Sequence, residues 1–201
     1  EEFKFMERNS KTLLILGKDK ISSKFLKENN FSENVIIVLD NSNNLKRVLK
    51  LLKTKKISLF FILRSLICEL RRKYYPFPKR ISSVKNNEQI LKLLLKVKPE
   101  KVYLFRAGLI INKKVLSLNI PIYNIHCAKI PEFGGLRSIE KAIQKKSFFQ
   151  SACFYKITSN IDDGEVLKEE PYVIDPQKGY FYNEEIAYKA GIRLLIDVLN
   201  T

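Results

Sequence analysis

The sequence predicts an α/β fold: a Rossmann-like, mostly parallel sheet flanked by helices, with antiparallel additions in the C-terminal part. Short apolar runs without interruption, at residues 11–17 and 34–39, suit parallel strands that are covered on both faces. Segments with apolar residues at helical spacing, such as 88–97, follow such runs. Strands that alternate with helices in this way indicate a parallel sheet, and two successive strand patterns after residue 150 indicate the antiparallel additions.

Each element can be given approximate bounds from the same patterns. We predict strands at residues 11–17, 34–39, just after 82, 101–105, 120–126, 151–158 and 166–174. We predict helices at residues 20–29, 45–54, 88–97, 112–118, 138–144 and 184–199. The chain has no internal repeat and no linker, so we expect a single domain over residues 1–201, with 1–10 as a candidate disordered tail.

Residues 57–75 fit either a strand that runs into a helix or one long helix. Arg71, Arg72 and Lys73 near the end favour the helix, because cations are stabilising at a helix C-terminus. Residues 59–63 are consecutively apolar, and a stretch that is apolar all round is typical of a buried element. We therefore expect this segment to be buried.

Composition narrows the class of protein. Hydrophobic residues make up 45% of the chain, as in ordinary globular proteins, which argues against disorder. No apolar run reaches the ~18 residues that a membrane span needs, and the first residues lack a hydrophobic signal core, so a cytoplasmic location is expected. Cys68, Cys127 and Cys153 are odd in number and lack metal-ligand spacing, which predicts free buried thiols and no metal site.

The net charge of +16 is concentrated in the first half of the chain. Residues 1–100 hold 23 basic and 10 acidic residues, a net of +13, and residues 46–80 hold twelve basic residues against the single acid Glu69. Such a field attracts nucleic acid, an anionic lipid surface or a phosphorylated substrate. A solvated, lysine-rich face accounts for the same composition.

Candidate catalytic residues follow the later strands. Open parallel sheets bind ligands at the carboxyl ends of their strands. Residues 17–20, after the first strand, lack the glycine pattern of dinucleotide- or triphosphate-binding loops. Asn124 and His126, the only histidine, are two residues apart on a predicted strand, so their side chains share a face. An amide beside an imidazole suits oxyanion stabilisation and proton transfer. Asp162 lies in an Asp-Asp-Gly triplet, which is either ordinary turn chemistry or a carboxylate that folds back to the histidine.

Together these segments resemble a known family. Asn124-Ile-His126, then Pro131, Gly135 and Ile161-Asp162-x-Gly164, is similar to the pattern of the 10-formyltetrahydrofolate-dependent formyltransferases. That family includes glycinamide ribonucleotide transformylase, methionyl-tRNA formyltransferase and the nucleotide-sugar N-formyltransferases. The resemblance is strongest over residues 102–174. The chain departs from the family in three places, with Cys127 for a frequent proline, Gly134 for a frequent arginine, and Tyr155 where many relatives carry histidine.

The resemblance implies direct transfer of a formyl group from 10-formyltetrahydrofolate to an amine, without a metal. It implies that Asn124 and His126 stabilise the oxyanion, and that Asp162 keeps His126 charged and relays the proton. It also implies a set of residues whose backbone groups hold the pterin: Gly108, Leu109, Ile110, Ile111, Ser159, Asn160 and Ile161.

The expected acceptor is an amino sugar carried on a nucleotide diphosphate. The loop at residues 16–19 lacks the Gly-Asn-Gly-Ser type of phosphate loop of the glycinamide ribonucleotide enzymes, and the methionyl-tRNA enzymes carry a further C-terminal domain. The basic, apolar stretch 46–75 looks like a region in relatives associated with surface polysaccharides. Methionyl-tRNA and glycinamide ribonucleotide remain alternative acceptors. A non-catalytic module that binds an anionic membrane or RNA through residues 57–73 is the alternative from another class. The sequence itself favours no oligomeric state.

Overall fold

A computed structural model describes residues 11–42, 45–55, 57–160 and 162–201, without the side chains of residues 45–47. The candidate disordered tail, residues 1–10, lies outside the described residues. The strands are β1 Thr12–Gly17, β2 Val35–Asp40, β3 Ser82–Val84, β4 Lys101–Phe105, β5 Ile122–His126, β6 Phe149–Lys156 and β7 Val166–Val173. The helices are α1 Lys20–Glu28, α2 Leu45–Lys53, α3 Leu59–Arg71, α4 Asn87–Val97, α5 Lys113–Leu116, α6 Ser138–Gln144 and α7 Tyr180–Leu199. Within these ranges, every helix is too short or too polar to cross a bilayer.

The strands form one sheet in the order β3-β2-β1-β4-β5-β6-β7. β3, β2, β1, β4 and β5 pair in parallel, whereas β6 and β7 pair antiparallel. The predicted fold class is therefore confirmed, including the antiparallel additions. The chain order reverses beside β1, which has β2 on one side and β4 on the other, and such a switch point opens a crevice at the carboxyl ends of the strands.

The core occupies both faces of the sheet, because successive side chains of a strand point to opposite faces. Leu14 and Leu16 of β1 pack in the cluster that α1, α6 and α7 cover. Leu13 and Ile15 pack in the cluster that α4 and α5 cover. Burial on both sides explains why β1 reads as an unbroken apolar run rather than as an alternating one.

α7 begins at Tyr180, one turn before the predicted start at residue 184. Asn183, a polar residue in that first turn, is buried and exchanges hydrogen bonds with the backbone N–H and carbonyl of Asp175, at 2.8 and 2.9 Å. A buried polar side chain satisfied by a preceding loop does not fit an apolar period. The sequence pattern therefore missed the first turn.

α3 confirms the helical interpretation of residues 57–75, but the expectation that this segment is buried is wrong. Six apolar side chains of α3 are exposed: Leu59, Phe60, Leu63, Leu66, Ile67 and Leu70. The opposite face is fixed to the protein by polar contacts, in which Arg64 pairs with Glu140 at 2.7 Å and Arg72 pairs with Glu184 at 2.5 Å. These ion pairs set the rotation of the helix about its axis and turn its apolar residues outward.

Gly17 ends β1 where the chain leaving β4 crosses it. A Cβ added to Gly17 would lie 2.2 Å from the carbonyl oxygen of Arg106, a backbone atom. We expect Gly17→Ala to lower the free energy of unfolding by about 1–3 kcal/mol, because the backbone segments at Gly17 and Arg106 must move apart to admit the Cβ. Gly179→Ala is the matched control, since a Cβ there meets nothing within 4 Å, and we expect it to cost less than about 1 kcal/mol. Urea unfolding of both variants measures the difference, and equal losses would contradict this explanation.

The three thiols are free and buried. Burial raises the pKa of Cys127 to about 12 and that of Cys153 to about 11, and burial followed by the charge of Glu184 raises the pKa of Cys68. The thiolate is the reactive form, so raised pKa values keep all three thiols protonated and unreactive at neutral pH. We expect iodoacetamide to modify them slowly in the native protein and rapidly after denaturation, as followed by intact-protein mass spectrometry. Raising the pH to 9 should accelerate native labelling far less than it does for an exposed thiol, which ionises near ~8.5. Rapid labelling of the native protein at neutral pH would refute the burial of these groups.

Candidate active site

A cleft of about 960 Å³ opens at the carboxyl ends of β1, β4 and β5. Its walls come from the loops that follow these strands and from the loop after β6. Asn124, His126 and Asp162 all line it, and so does the 107–111 loop after β4. The residues selected from the sequence therefore converge on one cleft, at the switch point of the sheet.

β5 places Asn124 and His126 on the same face, as their spacing predicted. β6 runs antiparallel beside β5, with Tyr155 directly opposite Asn124 and Cys153 opposite His126. Residues opposite each other in an antiparallel pair have adjacent side chains. The Asn124 Nδ2 donates a hydrogen bond to the Tyr155 hydroxyl at 2.8 Å, so the amide is held by the neighbouring strand.

Asp162 returns to this face from the loop between β6 and β7. Its Oδ2 accepts a hydrogen bond from the backbone N–H of Gly135 at 2.7 Å and lies 3.5 Å from His126 Nδ1. Its Oδ1 accepts a hydrogen bond from the Tyr155 hydroxyl. The carboxylate is thus brought beside the imidazole from 36 residues along the chain and is fixed there by two donors.

The glycine of the Asp162-x-Gly164 motif has a steric cause. A Cβ on Gly164 would lie 1.8 Å from the carbonyl oxygen of Lys156, so only glycine lets the loop lie this close to the end of β6. Asp162 itself has a φ of 49°, in the left-handed region that aspartate occupies more readily than most residues. The motif therefore supplies both the close approach and the turn that direct the carboxylate into the cleft.

Both ring nitrogens of His126 face acceptors. Nε2 lies 3.0 Å from the carbonyl oxygen of Phe133, which only accepts, so Nε2 carries a hydrogen in this arrangement. Nδ1 faces the Asp162 carboxylate, at a distance longer than a strong hydrogen bond. A ring that carries both protons satisfies both contacts, and the arrangement suits an imidazolium.

Tyr155 is the residue that sequence analysis missed as part of the site, although it was noted as a departure from the family. Burial, and then the charge of Asp162, raise its pKa well above the ordinary value. The hydroxyl therefore stays neutral, donates its one proton to Asp162 and accepts from Asn124. Its position opposite Asn124 was the available signal, but that position follows only from the strand register.

The 107–111 loop forms the wall where a pterin is predicted. Asp40, buried at the end of β2, accepts a hydrogen bond from the Leu109 N–H at 2.8 Å and so holds the loop, a role that the sequence did not reveal. Ile110 is exposed, while Ile111 packs in the core and offers only its backbone.

Ser159 and Asn160, two further members of the predicted pterin set, line the cleft from the loop after β6. The Asn160 amide donates to the Asp163 carboxylate at 3.0 Å, within the same loop. Ile161, the last member, lies outside the described residues. The described members of the set therefore line the same cleft from two loops, the one after β4 and the one after β6.

Four basic side chains line the cleft within the described residues, beside the acidic Asp19, Glu69 and Asp162. Arg106 pairs with Asp19 at 2.8 Å, and its guanidinium carbon lies 4.0 Å from the centre of the Tyr188 ring. Lys18, Arg137 and Lys141 also line the cleft, where Arg137 pairs with Glu140 at 2.8 Å and the Lys141 ammonium donates to the Gly134 carbonyl at 2.9 Å. Positive charge in a cleft attracts anionic groups of a ligand.

Known proteins were compared with the chain in three ways, and no family model matches it. Among curated proteins, the methionyl-tRNA formyltransferase of Caldicellulosiruptor saccharolyticus is 26% identical over 119 residues, which cover 58% of this chain and 38% of that protein. The methionyl-tRNA formyltransferase of Sulfurihydrogenibium sp. is 28% identical over 120 residues, with the same two coverages. The matches thus span well under half the length of these relatives.

Solved structures share the fold over nearly the whole chain. A sugar N-formyltransferase from Shewanella sp. has a TM-score of 0.64 at 16% identity, covering 94% of this chain and 68% of that one. A phosphoribosylglycinamide formyltransferase from Streptococcus pneumoniae has a TM-score of 0.61 at 22% identity, covering 94% and 97%. The chain is thus similar in sequence to part of the methionyl-tRNA formyltransferases, and it shares its fold with other formyltransferases of known structure.

Proposed function

We propose that this protein transfers a formyl group from 10-formyltetrahydrofolate to the amine of an acceptor. The convergence of an amide, an imidazole and a carboxylate in one open cleft carries the proposal. The three unpaired thiols suit a reducing compartment, so we place the activity in the cytoplasm.

The cleft fits a folate donor in size and in lining. Its volume of about 960 Å³ lies at the upper end of ligand pockets, which leaves room for a folate head group beside an acceptor. The exposed Ile110 side chain offers an apolar surface for a flat ring. Backbone groups of residues 108–111 and of Ser159 and Asn160 are proposed to hold the pterin, with Ile161 completing the set. When bound, the donor supplies an activated formyl carbon.

The proposed step forms a bond between the acceptor nitrogen and the formyl carbon and breaks the bond from that carbon to the donor nitrogen. Negative charge develops on the formyl oxygen as the amine attacks. The second amide hydrogen of Asn124, which the bond to Tyr155 leaves unused, is proposed to donate to the formyl oxygen. Both ring nitrogens of His126 face other acceptors, so the imidazolium is proposed to stabilise the oxyanion through its positive charge. One donor of this kind contributes about 3–4 kcal/mol to comparable oxyanion sites.

Asp162 is proposed to move the proton. The attacking amine must lose a proton and the departing nitrogen must gain one, so a group that can accept and return a proton is needed between them. Asp162 Oδ2 lies 3.5 Å from the imidazole, and its negative charge is proposed to stabilise the imidazolium. Tyr155 is proposed as a positioning residue, because its hydroxyl joins Asn124 to Asp162 and so fixes their separation.

Substitution of the central residues tests these roles. We expect His126→Asn and Asp162→Asn to lower kcat by about 10²–10³, because each removes a charge from the site. Tyr155→Phe should lower kcat about tenfold with little change in KM, since it removes only the link between two groups. Tyr123→Phe is the matched control, because the Tyr123 hydroxyl makes no hydrogen bond with the described residues, and its activity should stay normal. Near-normal rates for both the His126 and Asp162 variants, with the fold intact by circular dichroism, would contradict the assignment.

We further propose a nucleotide diphosphate amino sugar as acceptor. Lys18, Arg137 and Lys141 line the cleft and are cations suited to two phosphate groups. The Shewanella sugar N-formyltransferase shares the fold over 94% of this chain.

Methionyl-tRNA is the second candidate acceptor. It is favoured by the curated relatives, which are methionyl-tRNA formyltransferases, and by the net charge of +13 on residues 1–100, which suits phosphate contacts. Glycinamide ribonucleotide is a third, since the Streptococcus pneumoniae enzyme aligns over nearly the full length of both chains.

An acceptor panel separates these candidates. We expect incubation with formylfolate and nucleotide-linked amino sugars to yield a product heavier by one carbonyl unit in mass spectrometry. Charged initiator tRNA and glycinamide ribonucleotide should remain unformylated. Formylation of the tRNA, together with tRNA binding that falls steeply as salt rises, would overturn the sugar acceptor but leave formyl transfer intact.

A further inference from the structure

The outer face of α3 is a continuous apolar stripe. Leu59, Leu63, Leu66 and Leu70 follow one another at intervals of three or four, with Phe60 and Ile67 beside them. At about 100° per residue, the six occupy an arc of ~120°. Each is between 50% and 69% exposed. A contiguous exposed apolar surface of this kind marks a binding surface, whereas single exposed apolar residues need no explanation.

The helix cannot rotate to bury this stripe within its own fold. Arg64 on the inner face pairs with Glu140 and stacks on the Tyr180 ring, with the guanidinium carbon 3.7 Å from the ring centre. Arg72, just beyond the helix, is nearly buried and pairs with Glu184 and with Glu185. Turning the stripe inward would break these contacts and leave the buried Glu184 carboxylate without Arg72, which is strongly unfavourable.

Positive charge lies at both ends of the stripe. Lys53 and Lys55 precede the helix, Arg71 and Lys73 follow its apolar residues, and all four are exposed. Among the described side chains, the acidic residues that contact this segment lie on its inner side, where they pair with Arg64 and Arg72. The outward surface is therefore apolar along its length and cationic at its ends.

We propose that the outer face of α3 binds the surface of an anionic lipid bilayer. An apolar stripe about 10 Å wide can enter the boundary between head groups and acyl chains, while lysine and arginine at its ends contact anionic head groups. The helix is fixed to the protein by its inner face, so the whole protein lies on the membrane as a peripheral protein. This inference stands apart from the formyl transfer proposed above.

The distribution of charge and apolar surface favours a bilayer over a second copy of the chain or RNA. Two copies packed through this face would bring the cationic ends of both helices together, in a chain that already carries a net charge of +16. RNA would match the charge, but five aliphatic side chains offer it no hydrogen bonds and no stacking, and Phe60 alone has a ring. An anionic bilayer matches both the charge and the apolar stripe.

Vesicle co-sedimentation of the full chain tests the proposal. The protein should bind vesicles of phosphatidylcholine mixed with phosphatidylglycerol, bind pure phosphatidylcholine weakly, and lose binding as salt rises. A variant with both Leu63→Asp and Leu70→Asp should bind at least about tenfold more weakly. The control carries Leu95→Asp and Leu167→Asp, which add the same charge at leucines that are 56% and 50% exposed elsewhere on the surface, and it should bind as the parent does.

The other outcomes each overturn the proposal. Equal losses of binding in both double variants would mean that charge alone drives binding. Absence of binding to the anionic vesicles would exclude the membrane. If the parent protein is a dimer and the Leu63→Asp and Leu70→Asp variant is a monomer, a second copy covers the stripe. Lower thermal stability of that variant than of the control would show that another part of the same chain covers it. Formyl transfer measured in solution should be unchanged in both double variants, so failure of membrane binding is distinguishable from failure of the proposed activity.

Discussion

The antiparallel pairing of β6 with β5 is the constraint on which the site depends. It sets the Tyr155 ring opposite Asn124, and the strand then ends where the chain can turn back and present Asp162 to His126. The tyrosine hydroxyl bonds both the amide and the carboxylate. Because its pKa is raised, it serves as a neutral link that neither adds charge to the site nor gives up its proton. A shift of the register by one residue would turn Tyr155 to the opposite face and remove this link.

Two carboxylates at the ends of strands hold the loops around the cleft. Asp40 accepts hydrogen bonds from the N–H groups of Ser42 and Leu109, which joins the loop after β2 to the loop after β4. Asp19 caps α1 by accepting from the Ser22 N–H and also pairs with Arg106. Backbone donors at strand ends are costly to leave unsatisfied away from water. These side chains satisfy them and thereby give the cleft walls a fixed shape.

The fold was predictable because its signals are local, whereas parts of the site were not. Unbroken apolar runs identified β1 and β2, and the spacing of Asn124 and His126 gave their common face. The role of Tyr155 depends on which strands pair and in what register, and no local pattern encodes that. The outward rotation of α3 depends on partners of Arg64 and Arg72 that lie 76 and 112 residues away, so its apolar run predicts burial and the prediction is wrong. Composition could not reveal these distant ion pairs.

α3 separates the cleft from the outside of the molecule by no more than its own thickness. Glu69 on this helix lines the cleft, while Leu66 and Leu70, three residues before it and one after it, point outward. A helix with its side chains is ~10 Å across, so anything seated against the outer leucines would lie within about that distance of the cleft wall. An acceptor attached to such a surface would need a tether about as long as the diameter of the helix to reach the cleft wall. The diameter of α3 would therefore set the minimum length of that tether.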